Sequence, residues 1–411
     1  MKLLVSNVGS TSLKFKLYDM PSERVLCEAR IERVGGDDAI YTYKNRLTGH
    51  EERSVGCHVP TYTEGIRLFL EDMCSEHGAA ESADEVAAVG FKTVLAKGYY
   101  GVHELTDEVM EAMRAYLFVA PAHNGPYLEA IGRFRELMPG AKLVGVFETA
   151  FHATIPRERT MFAVPYEWYE KYGIRRMGYH GASHSYVAET LSEAFGATGR
   201  TVSCHLGGSC SLCAIEDGKS VDTSFGFSLQ TGVMHANRTG DLDPYVVPYL
   251  LSEGMGMDEV LSGLAKNGGL RGVSGVSGDL RLVQAAAEEG NERAALAIDM
   301  FVNQIVRYAG AFAAELGGLD NIVFTGGIGE NSPEIRRRVC EALKFLGLEI
   351  DNDANGAPGE GLRQISTVRS GVRALVLPAN EELGIARRTY ELITSDFPCY
   401  LIGQLARNSD V

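Results

Sequence analysis

Near the N-terminus, glycine, hydroxyl and lysine residues come together in the stretch LVSNVGSTSLKFKLYD, residues 4–19. An apolar run leads into Gly-Ser-Thr-Ser at positions 9–12, and the alternating run that follows carries Lys14. Backbone N–H groups and hydroxyls in such a turn, with a lysine beside them, can hold phosphate oxygens. An ordinary polar hairpin turn accounts for the same residues. The stretch by itself therefore leaves both interpretations open.

A similar turn recurs near the middle of the chain. Residues 9–13 and residues 208–212 share the pattern G-S-x-S-L. A match this short can arise by chance, but it also fits a chain that contains one α/β unit twice. In a duplicated chain, two such turns could hold the phosphates of a nucleotide from both sides.

A third glycine-rich stretch is VFTGGIGENS, residues 323–332, in which an apolar strand leads into a glycine turn. Glycines allow the backbone to approach a ligand closely. Ser332 as the N-cap and Pro333 at the first helical position predict a helix over the residues that follow. A helix N-terminus after a glycine turn attracts phosphate or ribose oxygens, so this stretch is a second candidate phosphate site.

The elements that must position these turns can be located from the apolar patterns. Strand-like runs occur at Leu3–Val8, Leu13–Tyr18, Val25–Ile31 and Tyr41–Arg46. A helical pattern and a short apolar strand follow at Tyr62–His77 and Val86–Val89. The order then restarts with a strand at Thr201–Leu206, a turn and strand in GGSCSLCAIEDGK, and a continuation of that strand in SVDTSF. This order predicts a mixed α/β fold.

Length and net charge limit the number of domains and the classes of partner that the chain can have. A chain of 411 residues with 45% hydrophobic composition is long enough for two or more domains. With 54 acidic against 39 basic residues, its net charge of -15 disfavours nucleic acids and anionic membranes as partners. The N-terminal MKLLVSNVGS lacks the pattern of a secretory signal, and charged residues interrupt the most apolar stretch, Ala294–Leu316. We therefore expect a cytoplasmic protein that does not span a membrane.

Eight cysteines in a chain of this length do not form the pattern of a disulfide framework. Cys210 and Cys213 have C-x-x-C spacing, but no second pair of ligands follows at a spacing typical of zinc sites. Packing within a strand is therefore the favoured interpretation of this pair.

Nine motifs in order, from residue 1 to about residue 395, resemble the acetate kinase family. They are SNVGSTSLKFKLYD, APAHN, VFETAFHATIP, YGIRRMGYHGASHSYV, HLGGSCSL, DTSFGFSLQTGVMHANRTGDLDP, SGVSGDLR, FTGGIGENS and PANEELGIARRT. The resemblance implies two duplicated actin-like (ribonuclease H-like) α/β domains with an active-site cleft between them, usually in a homodimer. The expected domains are residues 1–150 with 383–411, and residues 151–382, which would carry the nucleotide site.

The resemblance also implies a reaction and residues for it. The reaction is reversible phosphoryl transfer between ATP and the carboxylate of a small organic acid, which gives an acyl phosphate. Residues implied around the transferring group are Lys92, His123, Glu148, His180 and Arg238. Residues implied for nucleotide and phosphate binding are Asn7, Ser10, Ser12, Lys14, His205, Gly207, Gly208, Asp279, Arg281, Gly327, Ile328 and Asn331. Asn7 and Glu381 are implied for Mg²⁺ (or Mn²⁺), which commonly keeps several waters and only one or two carboxylates.

Several positions depart from the family pattern. Lys92, in GFKTVLAKG, stands where the family has an arginine, and it keeps the charge but not the bidentate fork. Glu148 stands where the family has an aspartate. Because its side chain is one methylene longer and that of Lys92 is shorter than an arginine, an ion pair between Lys92 and Glu148 could persist. Gly208 and Ser209 replace an asparagine and a glycine, and a positive φ at Ser209 would be strained.

The implied acceptor pocket contains Val94, Ala122, Tyr179 and Leu229, three of which also depart from the pattern. Ala122 stands for leucine, Tyr179 for phenylalanine and Leu229 for proline. The alanine opens space, and the tyrosine adds a hydroxyl that needs a partner. We therefore expect an acceptor that is larger or more polar than acetate.

Three other functions remain open from the sequence. The altered HLGGS turn could indicate a different phosphoryl donor, such as pyrophosphate. The altered pocket could indicate an acceptor that is not a carboxylate. Loss of the arginine, aspartate and asparagine together could indicate a non-catalytic nucleotide-binding regulator, although such a protein would not need Lys14, His123, His180, Arg238 and Glu381 together.

Overall fold

The computed structural model describes residues 1–9 and 11–395, without the side chains of residues 121 and 122. Ser10 and the tail from residue 396 onward, which includes the end of the expected returning segment, lie outside the described residues. Residues 1–153, together with the segment that begins at Asn380, form one compact unit, here called unit 1. Residues 154–379 form unit 2. The expected domain borders, after residues 150 and 382, lie close to these.

Each unit is built on one sheet. Unit 1 contains β1 (Lys2–Val8), β2 (Ser12–Asp19), β3 (Arg24–Glu32), β4 (Gly36–Asn45), β5 (Glu51–Val59), β6 (Val86–Thr93), β7 (Val102–Glu104) and β8 (Lys142–Phe147). Unit 2 contains β9 (Thr201–Leu206), β10 (Cys210–Glu216), β11 (Lys219–Thr223), β12 (Asn321–Thr325), β13 (Arg363–Gln364) and β14 (Arg373–Val376).

The two sheets repeat one arrangement of five strands. The strand order is β5-β4-β3-β2-β1-β6-β8-β7 in unit 1 and β11-β10-β9-β12-β14-β13 in unit 2. In unit 1, β1, β2 and β3 form an antiparallel meander, and β1, β6 and β8 run parallel. In unit 2, β9, β10 and β11 form the same meander, and β9, β12 and β14 run parallel. The expected duplicated α/β architecture is thus confirmed, and the two G-S-x-S-L segments occupy the equivalent turns β1–β2 and β9–β10.

Two expectations about individual elements were wrong, and one strand was missed. SVDTSF does not continue β10, because a turn at Asp217 and Gly218 reverses the chain and the residues from Lys219 pair antiparallel with β10 as β11. The segment Glu51–Val59 was not anticipated as a strand, yet it forms β5 at the edge of the sheet. The glycines of GGIGEN lie in a short helix and not in an open turn.

The helices connect and cover the strands. They are α1 (Tyr62–Met73), α2 (Asp107–Arg114), α3 (Pro121–Leu137), α4 (Arg157–Thr160), α5 (Tyr166–Tyr172), α6 (Gly181–Phe195), α7 (Val246–Ser252), α8 (Met257–Lys266), α9 (Gly269–Ser274), α10 (Leu280–Glu288), α11 (Glu292–Glu315), α12 (Gly326–Asn331), α13 (Pro333–Ala342), α14 (Asn352–Gly356) and α15 (Glu381–Thr394). The expected start of α13 is confirmed, because the Ser332 hydroxyl accepts from the N–H of Ile335 and Pro333 occupies the first helical position. Within the described ranges, no helix is long and apolar enough to cross a membrane.

The last described helix belongs to unit 1 although it comes after all of unit 2 in the chain. Helix α15 packs on β1, β6 and β8, and buries Ile385 and Ala386 against Leu3 and Ala88. At Gly90 on β6 an added Cβ would lie 2.3 Å from the Thr389 Oγ1 of α15. This position therefore requires glycine, because any side chain would push the helix off the strand.

Candidate active site

The parallel strands of unit 1 end at one edge of its sheet, and polar residues are concentrated there. Asn7 lies near the end of β1, Lys92 near the end of β6, and Glu148 directly after β8. Glu381 is the first residue of α15, which packs on the same three strands. The carboxyl edge of parallel strands is where α/β sheets usually bind ligands.

Lys92, Glu148 and Glu381 form an ion-pair group at this edge. The Lys92 Nζ donates to the Glu381 Oε2 at 2.6 Å and lies 3.9 Å from the Glu148 Oε2. The side chains are 19%, 4% and 13% exposed for Lys92, Glu148 and Glu381, so all three are largely removed from water. Although burial disfavours the ammonium ion, the carboxylates of Glu148 and Glu381 raise the pKa of Lys92 above its ordinary value. Lys92 is therefore charged and has a carboxylate oxygen of each glutamate within 4 Å.

Tyr127 of α3 connects this group to the end of β1. Its hydroxyl lies 3.3 Å from the Asn7 Oδ1, to which it donates, and accepts from the N–H of Val8 at 3.2 Å. Burial raises the pKa of Tyr127, while the charge of Lys92 acts in the opposite direction. Tyr127 thus fixes the amide of Asn7 beside the charged residues, a role that the sequence gave no reason to assign.

The β1–β2 turn is closed by its own backbone. The N–H of Gly9 donates to the carbonyl of Ser12 at 2.8 Å, and the Tyr62 hydroxyl donates to the carbonyl of Gly9 at 2.8 Å. A Cβ at residue 9 would lie 2.5 Å from the Ser12 Oγ, so the tight turn requires glycine. Lys14 is exposed and is the cross-strand partner of Asn7, which places both on one face of the sheet.

His123 lies in the first turn of α3 and is partly buried. The following residue, Asn124, is fully buried and donates to the carbonyls of Leu95 and Met113 at 2.9 and 2.8 Å. These two bonds fix the start of α3 to the segment that follows β6 and to α2. Val94, expected in the acceptor pocket, is buried in that segment.

In unit 2, a cluster of histidines surrounds the start of α6. His180 precedes α6 with a left-handed backbone conformation, φ 57° and ψ 28°, which few residues other than glycine adopt. Its ring lies 4.1 Å from the His205 ring, centroid to centroid, and its Nδ1 lies 2.8 Å from the Ser211 Oγ. The His205 Nδ1 lies 2.8 Å from the Ser183 Oγ of α6. Serines thus hold the two adjacent histidine rings, which are tilted by 31° with respect to each other.

Phe225 lies between this cluster and a second group. Its ring centroid is 5.3 Å from that of His180, of Tyr179 and of His235. His235 is fully buried, and its Nδ1 accepts from the N–H of Cys210 at 2.8 Å. Burial, together with the positive charge of Arg238, holds the pKa of His235 well below its ordinary value, so it is neutral.

Arg238 and the two expected pocket residues of unit 2 are tied to the loop that follows β11. The Arg238 Nη1 donates to the carbonyl of Leu229 at 2.5 Å, and burial lowers the pKa of the guanidinium from its ordinary value. The Tyr179 hydroxyl donates to the carbonyl of Phe227 at 2.7 Å. Tyr179 and Leu229 are both buried. The added hydroxyl of Tyr179 therefore already has a partner in the protein.

The carboxyl edge of the unit 2 strands is formed mainly by glycines. A Cβ at Gly207 would lie 3.8 Å from the Gly327 nitrogen, so the turn after β9 and the start of α12 adjoin. Gly326 has a φ of 77° and leaves no room for a side chain, since a Cβ would lie 2.7 Å from the Leu206 carbonyl oxygen. Ser209 is not among the described residues with positive φ, so the strain expected there is absent. Gly208 is exposed at the tip of the turn.

The other expected nucleotide contacts lie on short helices of unit 2. Asn331 ends α12, where its Nδ2 donates to the carbonyl of Gly327 at 2.9 Å, and Ile328 is partly buried in the same helix. Asp279 caps α10 by accepting from the N–H of Arg281 at 3.0 Å, and its carboxylate also accepts from the Arg281 guanidinium. The Arg281 side chain is 88% exposed, so this pair is accessible to a ligand.

A model of the Acetokinase family matches residues 2–387 of this chain. The chain belongs to the acetokinase family. The acetate kinase of Treponema denticola is 42% identical over 399 residues, which cover 96% of this chain and all of that protein. An acetate kinase from a Geobacillus species is 42% identical over 396 residues, which cover 95% and 98% of the two chains.

Solved structures agree with this assignment. The crystal structure of Porphyromonas gingivalis acetate kinase matches with a TM-score of 0.85 at 36% identity, covering 96% of this chain and all of that one. A propionate kinase from Francisella tularensis matches with a TM-score of 0.86 at 31% identity, covering 94% and 98%. As a member of the acetokinase family, the protein is an enzyme, a phosphotransferase with a carboxyl group as acceptor.

The donor set at the unit 1 edge of this acetokinase fits a hard divalent cation. Asn7 and Glu381 offer an amide and a carboxylate oxygen, and Glu148 supplies a second carboxylate beside them. Across residues 1–9 and 11–395, no group of three or more His, Cys, Asp or Glu side chains could enclose a metal. Mg²⁺ does not require such a cage, because it is usually bound through one or two carboxylates together with substrate phosphates.

The cysteine pair of this acetokinase is explained by packing. Cys210 and Cys213 lie three residues apart on β10, so their side chains point to opposite faces of the sheet, and both are fully buried. Burial raises the pKa of Cys210 to about 12, so its thiol is protonated, and it donates to the carbonyl of Gly207 at 3.2 Å.

Sequence reasoning missed several buried polar residues in the two units: Tyr127 in unit 1, and His184, Ser203, Ser211 and His235 in unit 2. Part of the signal was present, because Ser203 and His205 alternate on β9 with the core residues Val202, Cys204 and Leu206. Polar residues at period 2 on a buried strand indicate a polar face with partners of its own.

Proposed function

We propose that this acetokinase is an ATP- and Mg²⁺-dependent kinase that transfers a phosphoryl group reversibly between ATP and the carboxylate of a small organic acid. The product with the acid would be an acyl phosphate. The observation that carries the proposal is the buried group of Lys92, Glu148 and Glu381 at the carboxyl edge of β1, β6 and β8. It joins a fixed positive charge, which an anionic acceptor would require, to carboxylate oxygens, which could hold a metal that binds phosphate.

Unit 1 would supply the metal and acceptor residues. Asn7 and Glu381 would hold Mg²⁺, in part through water, and the ion when bound would neutralise phosphate charge. Lys92 would attract the acceptor carboxylate and would be kept charged by Glu148. His123, Ser10, Ser12 and Lys14 would contact phosphoryl oxygens.

Unit 2 would supply the nucleotide and transition-state residues. Arg238, with its planar fork, and His180 would stabilise the transferring phosphoryl group, whose charge is spread over three oxygens. The transfer would be direct, with no covalent enzyme intermediate. Residues proposed to bind the nucleotide are His205, Gly207, Gly208, Asp279, Arg281, Gly327, Ile328 and Asn331.

We propose an acceptor larger than acetate. The support is that Ala122 stands where the family has leucine, and the smaller side chain leaves more space for the acid. The Tyr179 hydroxyl is satisfied by the carbonyl of Phe227, so it gives little support to the more polar acceptor that the sequence alone also allowed. The test is a hydroxamate assay with ATP, Mg²⁺ and a panel of two- to five-carbon acids. We expect one longer acid to exceed acetate in kcat/KM, and Ala122→Leu to shift the preference toward acetate, with Tyr179→Phe as the control.

The same assay addresses the remaining possibilities. If acetate is the best acid, the pocket argument is wrong. If no acid is phosphorylated while ATP binds, a non-carboxylate acceptor or a regulatory role gains support. A donor screen with ATP and pyrophosphate at fixed acceptor tests the changed-donor alternative, whose motivation is weakened by the ordinary backbone conformation of Ser209.

We also propose that the enzyme works as a cytoplasmic homodimer. Support for the dimer is a group of exposed apolar side chains on and beside α7 and α8, among them Tyr245 and Tyr249 at 79% and 61% exposure. Support for the compartment is the nucleotide substrate and the free thiols of the described cysteines. Light scattering of the wild type and of Tyr245→Glu would test the dimer, which the charge should weaken.

A further inference from the structure

Four buried side chains of unit 2 form one continuous hydrogen-bonded chain. The Ser211 Oγ lies 2.8 Å from the His180 Nδ1 and 2.9 Å from the His184 Nε2. The His184 Nδ1 in turn lies 2.9 Å from the Ser203 Oγ. Ser203, His184 and Ser211 are fully buried and His180 is 7% exposed, so water does not compete for these bonds.

The direction of this chain determines where His180 carries its proton. A hydroxyl donates one proton, and a neutral imidazole donates from one nitrogen and accepts at the other. If Ser203 donates to the His184 Nδ1, the His184 Nε2 donates to Ser211, and Ser211 donates to the His180 Nδ1. A neutral His180 then carries its proton on Nε2. The opposite direction places the proton on Nδ1 and leaves Nε2 as an acceptor.

Only the first direction suits a phosphoryl group. Phosphoryl oxygens accept hydrogen bonds, so a neutral His180 can stabilise them only through an N–H. Because Nδ1 is engaged by Ser211, that N–H has to be on Nε2. A second observation agrees with a fixed ring: the left-handed backbone at His180 places the ring against His205, whose own Nδ1 is held by Ser183.

We propose that Ser211 and His184 are positioning residues that hold His180 in its Nε2–H form, so that it can donate to the transferring phosphoryl group. The proposal rests on the phosphoryl-transfer function proposed above. Neither Ser211 nor His184 need contact the substrate. Their effect is exerted through the tautomer and orientation of His180, as the partners of metal-binding or catalytic histidines act in other enzymes.

The kinetic test compares Ser211→Ala with Ser220→Ala in the full-length enzyme. Ser220 is an equally buried serine on β11 that bonds outside the chain of four, to Cys213. We expect Ser211→Ala to lower kcat about 10- to 100-fold, with KM values for nucleotide and acid changing less than about threefold. Ser220→Ala should retain kcat. Wild-type kcat in a folded Ser211→Ala protein would overturn the proposal.

A pair of variants at His184 sharpens the test. His184→Gln retains an amide N–H near the position of Nε2 that can donate to Ser211, whereas His184→Leu retains none. We expect the glutamine variant to keep more of the wild-type kcat than the leucine variant at similar KM. Equal losses in two folded proteins would contradict a role through Ser211.

The tautomer can be measured without turnover. In protein labelled with ¹⁵N-histidine, the ring-nitrogen shifts of His180, assigned by their loss in His180→Asn, report which nitrogen carries the proton. We expect a protonated Nε2 in the wild type and a mixture of tautomers in Ser211→Ala. A proton on Nδ1 in the wild type, or no change in Ser211→Ala, would overturn the proposal. If the enzyme phosphorylates no acid, the proposed function fails, yet these shifts still decide the positioning claim.

Discussion

The two units of this acetokinase share a strand order but differ in what they place at the carboxyl edge of the parallel strands. Unit 1 places charge there, with Lys92 between the carboxylates of Glu148 and Glu381. Unit 2 places glycine backbone and imidazole rings at and near the equivalent edge, with Gly207 next to Gly327 and the ring of His180 beside that of His205. One scaffold thus carries two kinds of chemistry, which side chains and not topology determine.

This difference has an energetic reason. Burying three charges in unit 1 is costly, and it is tolerated because each charge has an opposite partner within 4 Å. Neutral donors such as glycine N–H groups and imidazoles carry a smaller desolvation cost, so they can surround an anionic nucleotide without charged partners of their own. We therefore expect substitutions in unit 1 to change metal and acceptor dependence, and substitutions in unit 2 to change the rate of transfer.

The largest effect is expected at Arg238, whose positive charge acts on His235 in unit 2. Arg238→Ala should lower kcat about 10³-fold, because charge on the transferring phosphoryl group loses its planar partner. Arg238→Lys should recover only part of this loss, since lysine lacks the fork. Steady-state kinetics with saturating ATP and acid provide the measurement, and unchanged turnover would remove Arg238 from the mechanism.

The second-largest effect is expected on the Mg²⁺ requirement, when Glu381 of unit 1 is changed. Glu381→Gln should raise the Mg²⁺ concentration needed for half-maximal rate and lower kcat about 100-fold, because the carboxylate that we propose as a metal ligand, and that pairs with Lys92, is lost. Glu382→Gln is the matched control, since Glu382 lies in the same first turn but pairs with Lys16 at 3.8 Å. An equal Mg²⁺ requirement in both variants would place the metal elsewhere.

A smaller effect is expected from restoring the family's usual pair. Lys92→Arg and Glu148→Asp should each lower kcat/KM for the preferred acid about tenfold, because each alters the reach between the two partners. The double variant should lose less than the product of the two single losses, by a coupling of about 1 kcal/mol. If the double variant loses as much kcat/KM as the product of the two single losses, the substitutions at positions 92 and 148 are independent.

The smallest expected effect is on the pH dependence of stability. It comes from Glu315 and Asp222, two carboxyl groups of unit 2 to which we assign no role in catalysis. Burial and the nearby carboxylate of Asp222 raise the pKa of Glu315 from 4.5 to about 7, against the opposing charges of Arg159 and Arg176. Because the folded protein binds this proton more tightly, its contribution to stability is present below about pH 4.5 and is lost as the pH rises through about 7.

Urea unfolding at pH 5 and pH 8 measures this contribution. The wild type should lose more stability between these values than Glu315→Gln, which cannot ionise. The difference should be less than about 1 kcal/mol, because a third of the Glu315 side chain is in water. Equal pH dependence in the two proteins would contradict the assignment to Glu315.

The sequence predicted those features that depend on neighbouring residues. The turn patterns at residues 9–13 and 208–212 predicted the duplication, and Ser332 with Pro333 predicted the start of α13. The edge strand β5 was missed because its residues are mostly polar and exposed, with little apolar alternation. Motif resemblance identified Lys92 and Glu381, but their bond joins residues 289 positions apart, and no local pattern reports such a contact. The His184 and Ser211 contacts were missed for the same reason.

Helix α15 also constrains the order in which the enzyme can be made. Unit 2 is one continuous segment and can fold as soon as it leaves the ribosome, whereas unit 1 waits for a helix that is synthesised after all of unit 2. Until then, the apolar faces of β1 and β6 around Leu3 and Ala88 lack Ile385 and Ala386, and Lys92 lacks Glu381. The earliest part of the chain is therefore the last to be completed, so we expect nascent or truncated chains that end before Glu381 to depend on chaperones and to bind no metal.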